Sequence, residues 1–386
     1  MGCLLEQGKI SSAQMGKMIF LAVIASAVTA VPSYSGKYAQ NDLWLSPAWA
    51  SLTGFLTVYA AIALNKLYPQ KSVVEYSTDI IGTIPGKLFG LLILFFYIHM
   101  TGLIARGYAE FIIGNFLPQT PISIVIITMI AVCAYAVKAG VESIGRTAQL
   151  FFFFFMFPLI LMPFLLRDMK PDFLFPMLEH GLLPSLKGAL IPQGYFSEAF
   201  LMSFFLPFVT DRGKGMRSGM LTILGIALML TCINLFILLV FGTQAADYLY
   251  PVMVAFRYIS IADFFENLDS VVMTVWILGM FVKISIFYYA TVLGTSQWLG
   301  LADYRPIVLP IGILIAALSF WSIPNLNQAS RFDVISFPFY GPLMQTICPL
   351  LLLVLALLRQ KGKQQSQAQM TMAPEQAHTH TEKQEG

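Results

Sequence analysis

Ile191-Pro192-Gln193-Gly194-Tyr195-Phe196-Ser197-Glu198 sets a proline, a glycine and a carboxylate in the middle of an apolar run. Inside a helix a proline removes one backbone hydrogen bond and crowds the preceding turn. In hydrocarbon, the backbone groups it frees must be satisfied by protein or by a water-filled cavity. An interruption of this kind at mid-membrane is how transporters build sites for substrate and coupling ion. The segment therefore predicts a polar cavity within a membrane-embedded helix bundle.

The rest of the chain supplies that bundle. Of its 386 residues, 57% are hydrophobic and only 11% charged, against about 25% charged in soluble domains. The composition is that of an integral membrane protein. With about 20 apolar residues needed to span the hydrocarbon core, ten spans can be drawn: Met15–Tyr34, Pro47–Leu67, Leu88–Phe116, Pro121–Val137, Thr147–Leu166, Pro184–Phe208, Ser218–Gly242, Leu268–Leu299, Ile307–Trp321 and Pro338–Leu358. The expected organisation is one membrane domain over residues 1–358, then a polar tail over 359–386. The tail has no aromatic residue and too little apolar surface to fold. Its His378 and His380 read as solvated residues, not metal ligands.

Lys and Arg favour the cytoplasmic side of a membrane. Placing the N-terminus inside puts Lys9, Lys17, Lys66, Lys71, Lys87, Lys138, Arg146, Arg212, Lys214, Arg217, Arg305, Arg359, Lys361, Lys363 and Lys383 on that side. Only Lys37, Arg167, Lys170, Lys187, Arg257 and Arg331 then fall outside. Both termini are expected in the cytoplasm. The net charge of +3 reflects this bias and gives no reason to expect nucleic acid. Cys133, Cys232 and Cys348 lie in apolar spans, and neither a metal site nor a cofactor site is expected.

If ten spans divide into two sets of five, the second set runs opposite to the first, the inverted repeat of many transporters. The third and eighth spans, equivalent under that division, are the two longest. At ~1.5 Å per residue both exceed the ~30 Å hydrocarbon core. The first span, counterpart of the sixth, carries Ser26, Thr29 and Pro32 among alanines and is expected to be the second broken helix.

Ionisable residues within the membrane are costly and read first as functional. Glu198, one turn beyond Gly194, is the leading candidate for ligand binding or for ion coupling. Lys283, in span eight, has two readings: a fixed cation in place of a coupling ion, or a side chain that snorkels or pairs with a carboxylate such as Glu198. His99 and Tyr97 lie near the middle of span three. Arg106 and Glu110, four residues apart, can pair on one helix face. Glu266 and Asp269 sit at the outer end of span eight. The pocket permits an amino acid, an amine or a neutral sugar-like ligand. No hydrolase, kinase or dinucleotide motif appears in a supporting context, so an enzyme is not expected.

Four segments carry a family resemblance through their order and spacing. They are the short N-terminus leading to Gln14 and a first span closed by Pro32; Phe196-Ser197-Glu198-Ala199-Phe200 followed by Phe205-Leu206-Pro207; Phe265-Glu266-Asn267-Leu268-Asp269-Ser270 running into Val275-Trp276-Ile277 and Phe281-Val282-Lys283-Ile284-Ser285; and Phe320-Trp321 with Pro324-Asn325. Over roughly Ser11 to Leu358 the chain resembles the spore germination permeases, the B subunits of GerA-type nutrient receptors in the amino acid–polyamine–organocation superfamily. The resemblance implies an all-α, LeuT-like 5+5 inverted repeat of ten transmembrane helices with helices 1 and 6 broken. It implies a small-molecule germinant such as an amino acid, A-type and C-type receptor subunits as partners, and residence in the spore inner membrane. Carried onto this chain, the pocket would draw on Ser26, Thr29, Tyr97, His99, Gly194, Tyr195, Ser197 and Glu198, with Lys283 beside them. The main alternative is a proton-coupled secondary transporter of amino acids or amines.

Overall fold

The computed structural model describes residues 6–162, 166, 169–258 and 268–360. Glu266, the side chain of Asp269, Cys3, and His378 and His380 of the polar tail lie outside the described residues. Among those described, every regular element is helical, and the one extended pairing is an isolated bridge between Ile10 and Val209.

Among the described residues, six helical runs are long and apolar enough to cross a membrane: Ser12–Leu67, Thr83–Asn115, Ile122–Ala139, Arg212–Asp247, Val272–Leu299 and Asn327–Gln360. The first run holds two helices, α1 (Ser12–Ala39) and α2 (Ser46–Leu67), joined by a 3₁₀ turn at Gln40–Leu45. Then come α3 (Val73–Ile81), α4 (Thr83–Asn115), α5 (Ile122–Ala139) and α6 (Val141–Leu161). The interrupted region comprises α7 (Leu182–Gly188), α8 (Leu190–Ser197) and α9 (Met202–Phe205). Beyond it lie α10 (Gly215–Phe241), α11 (Pro251–Tyr258), α12 (Leu268–Leu299) and α13 (Val308–Trp321). The last run contains α14 (Leu326–Arg331) and α15 (Phe337–Pro342), with π-helical stretches at Phe332–Ser336 and Leu343–Ile347.

α1 is the axis of the bundle. It touches α6, α8, α10 and α12, and most of its residues are buried, including the continuous run Ile19–Ala25. Its start is set by a capping box. The Gln14 N–H donates to Ser11 Oγ at 3.1 Å, and the Ser11 N–H donates to Gln14 Oε1 at 2.9 Å, so two amides at the helix start are satisfied reciprocally. The helix continues through Pro32 without unwinding. The expected break in the first span is therefore not visible in its backbone. Its hydroxyls are used locally: Thr29 Oγ1 donates to the Ser26 carbonyl at 2.9 Å.

The chain before α1 is tied to the end of the bundle that the charge bias assigns to the cytoplasm. Glu6 accepts from the Gly8 N–H at 2.8 Å, the Tyr304 hydroxyl at 3.0 Å, the Val141 N–H at 3.1 Å and the Tyr289 hydroxyl at 3.3 Å. Burial, reinforced by the Glu6 charge, holds Tyr304 well above the usual phenol range, so it stays a donor. Gly140 supplies the turn between α5 and α6 at φ +94, and a Cβ there would stand 2.7 Å from Glu6 Oε2. Only glycine meets both demands.

The Phe151–Phe155 run is divided between surface and core. Phe153 and Phe154 face outward, while Phe155 is buried with its ring against Gly279.

Candidate ligand site

Pro192 leaves the Gly188 carbonyl, four residues earlier, without a helical donor. The buried Ser35 Oγ fills that position from α1, donating to the Gly188 oxygen at 2.9 Å. With this repair Leu190–Ser197 is α-helical through both Pro192 and Gly194. The change of winding comes one turn later than expected, as a 3₁₀ turn over Glu198–Leu201, followed by α9 and a second 3₁₀ turn at Leu206–Phe208.

Glu198 stands at that change of winding. Lys283 of α12 donates to both of its oxygens, at 2.8 Å and 2.6 Å, and the two side chains are 1% and 0% exposed. Of the two readings for Lys283, the structure contains the ion pair. The ammonium also lies 5.5 Å from the ring centres of Tyr195 and Phe287, within cation–π range. Removing either partner would strand a buried charge, which is strongly destabilising.

The pair borders a cavity of about 120 Å³ between α1, α4, α8, α12 and the start of the last run. Ser26, Thr29, Tyr195, Glu198 and Lys283 all line it. Ser26 Oγ points at Met280 Sδ, 3.6 Å away. Aromatic residues make up part of the walls, with Tyr34, Tyr108, Tyr250 and Trp276 among them. Trp276 is fixed by donating its indole N–H to the Ala25 carbonyl at 2.6 Å.

Tyr97, Gly194 and Ser197 do not line this cavity; they form a buried polar chain beside it. The Tyr97 hydroxyl donates to Gln345 Oε1 at 3.3 Å, Gln345 Nε2 donates to Ser197 Oγ at 3.3 Å, and Ser197 donates to the Gly194 carbonyl at 2.6 Å. Gly194 allows the Phe337 ring to approach: a Cβ would meet its Cε1 at 2.7 Å. His99 points elsewhere. It stacks on Phe95, an outward-facing residue, and contacts Phe332 and Tyr340 edge-on. Arg106 pairs with Glu110 at 2.6 Å and also donates to the Pro324 carbonyl at 3.1 Å, so the Glu110 that lines the cavity comes already neutralised.

Sequence reading missed Asp333 and Gln345, one in each π-helical stretch of the last run. π-Helical turns inside α-helices recur at functional sites. The signal available for Asp333 was an acidic residue within Phe332-Asp333-Val334-Ile335-Ser336-Phe337, just before the tenth span as drawn.

Residues 9–327 match the sequence profile of the Spore_permease family, described as spore germination protein. The chain belongs to that family. It is 28% identical to spore germination protein KB of Bacillus subtilis (strain 168), over 91% of this chain and 95% of the relative. It is 27% identical to the putative spore germination protein YfkT of the same organism, over 86% and 92%. Among solved structures, a Na⁺-coupled sialic acid symporter superposes with a TM-score of 0.63 over 88% of this chain and 78% of the symporter, at 11% identity. MhsT in complex with L-phenylalanine superposes at 0.57 over 85% and 87%, at 13% identity. At those identities the likeness is one of fold. This spore germination family member is a membrane protein with the helical architecture of LeuT-type transporters, and its family is permease-like.

Proposed function

We propose that this chain is the germinant-binding, permease-like subunit of a spore germination receptor, triggered by a small ligand such as an amino acid. The observation that carries the reading is the buried Glu198–Lys283 pair at the wall of a cavity lined in part by aromatic rings, within a chain of the germination family. The pair links the winding change after α8 to α12. A ligand entering beside it can shift the balance between two arrangements of these helices only through a difference in affinity for the two.

The wider assignment follows the same reading. The membrane domain over residues 1–358 comprises ten spans in a 5+5 inverted repeat, with spans one and six forming the ligand-facing pair and a polar tail after it. Both termini face the cytoplasm, the protein resides in the spore inner membrane, and A-type and C-type subunits receive the signal. The site calls on Ser26, Thr29, Tyr195, Glu198 and Lys283 for direct contact. It uses Tyr97, Gly194 and Ser197 as support.

The test is germination of spores lacking the gene, complemented with wild type or with Glu198→Gln, against single nutrients. Loss of the response to one nutrient, restored by wild type but not by the variant at equal protein level, is the expected result. A response indifferent to deletion would overturn the reading. A second reading, proton-coupled uptake of an amino acid or amine, is favoured by the likeness in fold to coupled symporters and by the carboxyl at the cavity wall. Proton-dependent uptake into vesicles by this chain alone would establish it.

A further inference from the structure

Four charged side chains line the cavity: Glu110, Glu198, Lys283 and Asp333. Glu110 is matched by Arg106 and Glu198 by Lys283. That leaves one carboxylate over. Asp333 is half-buried, borders the cavity and has no cation within ion-pair distance among the described residues. The charge that acts on it is that of Lys283, whose ammonium is already bonded to both oxygens of Glu198, and the Tyr34 hydroxyl, 3.4 Å from Ser330 Oγ, faces the carboxylate.

The cations that could hold a ligand's carboxylate are already paired. Lys283 gives hydrogen bonds to both oxygens of Glu198, and Arg106 is held by Glu110 and the Pro324 carbonyl. α1 is helical from Ser12 to Ala39, so it offers no unwound stretch of free amides to a carboxylate. The charged side chains that line the cavity therefore sum to a negative surplus, and aromatic residues including Tyr108, Tyr250, Phe332 and Phe337 line it besides Tyr34 and Tyr195, whose rings already lie near Lys37 and Lys283. Aromatic faces attract a desolvated cation. An apolar cavity of ~150 Å³ holds a molecule the size of benzene, so a volume of about 120 Å³ suits a ligand of a few heavy atoms.

We infer that the ligand of this cavity is a small organic monocation, a primary amine or alkylammonium without a free carboxylate, held by Asp333 and the surrounding aromatic rings. It narrows the ligand of the receptor reading from an amino acid to an amine and rests on that reading only for its biological consequence; the binding chemistry stands apart from it. Asp333 is the residue that separates a cation from a zwitterion or a neutral sugar.

The test uses the full chain purified in lipid nanodiscs, with n-propylammonium chloride, L-alanine and D-glucose as probes, read by calorimetry and by thermal stabilisation. Propylammonium is expected to bind and to raise the melting temperature, while alanine and glucose bind at least about tenfold more weakly. Asp333→Asn should weaken propylammonium binding about tenfold or more, the range for a hydrogen bond to a charged group. Asp333→Glu should retain most of it. Should Asp333→Asn not yield a monodisperse protein, the order of the three probes on wild type decides alone. Tighter binding of alanine or glucose, no measurable propylammonium binding, or an Asp333→Asn protein with unchanged affinity overturns the inference. The receptor reading fails separately: amine binding without any germination defect in deletion spores would sink that reading and leave this one intact.

Discussion

The Ser35 hydroxyl donates to the Gly188 carbonyl at 2.9 Å, the very carbonyl that Pro192 deprives of a helical partner. A defect in the sixth span is thus repaired from the first, and the repair ties the two spans together next to the cavity. Ser35→Ala should leave a buried carbonyl unsatisfied and lower stability by about 1–3 kcal/mol. Pro192→Ala restores an amide at the position that would otherwise complete the helix. In the Pro192→Ala background, Ser35→Ala should therefore cost much less. Thermal unfolding of the four proteins in one detergent closes the cycle, and additive losses would show that the hydroxyl does not serve the proline.

Glu198 and Lys283 should behave as a unit. Glu198→Gln alone leaves Lys283 charged and buried, at a cost of about 3–5 kcal/mol, and Lys283→Met strands Glu198 in the same way. Glu198→Gln with Lys283→Met removes both charges and should recover most of the lost stability. Melting temperatures of the three variants against wild type check this. Germination is expected to stay impaired in the double variant, because its stability returns but the polar wall does not.

Much of this was legible in the sequence, for identifiable reasons. Long apolar runs mark helices whatever their partners, and Pro192, Glu198 and Lys283 stand out in them because each is costly in lipid. What repairs the proline was not legible, since Ser35 lies in another span and only the fold brings it to Gly188. Asp333 was missed because polar residues from Asn325 to Ser330 lower the local hydropathy. The tenth span was therefore drawn from Pro338, whereas the helical run begins at Asn327. The direction of His99 was hidden for the opposite reason: α4 is apolar around its circumference, so no polar face fixes its rotation.

Asp211 gives a pH prediction for the start of α1. The Ser12 N–H and hydroxyl both donate to it, at 2.6 Å and 2.8 Å. The backbone donor in particular holds the Asp211 carboxyl below its usual value of 3.8. A carboxyl lowered in the folded state gives its stabilisation in full above the unfolded value and loses it as pH falls through the folded one. Protection of the Ser12 amide from hydrogen exchange, after correction for intrinsic rate, should therefore stay flat from neutrality to about pH 5. It should fall only below 3.8. Asp211→Asn should reduce that protection across the whole range. Loss of protection in wild type near pH 6 would mean that some other group holds the segment.

Tyr97 and His99 are two residues apart on α4, which turns them about 200° from one another around the helix. The structure sends them to different surroundings accordingly. Tyr97 is fully buried and feeds the Gln345–Ser197–Gly194 chain beside the cavity, whereas His99 lies against the outward-facing Phe95. Tyr97→Phe keeps the ring and removes one buried donor, so it should lower stability by about 0.5–1.5 kcal/mol. It should also shift the nutrient concentration needed for half-maximal germination, since Ser197 and Gly194 set the course of α8 up to Glu198. His99→Phe preserves the aromatic contacts and removes nothing that borders the cavity, so germination should keep its wild-type concentration dependence. Dose–response curves for spores carrying each variant at equal protein level separate the two. A large shift with His99→Phe and none with Tyr97→Phe would mean that α4 presents the opposite face to the ligand.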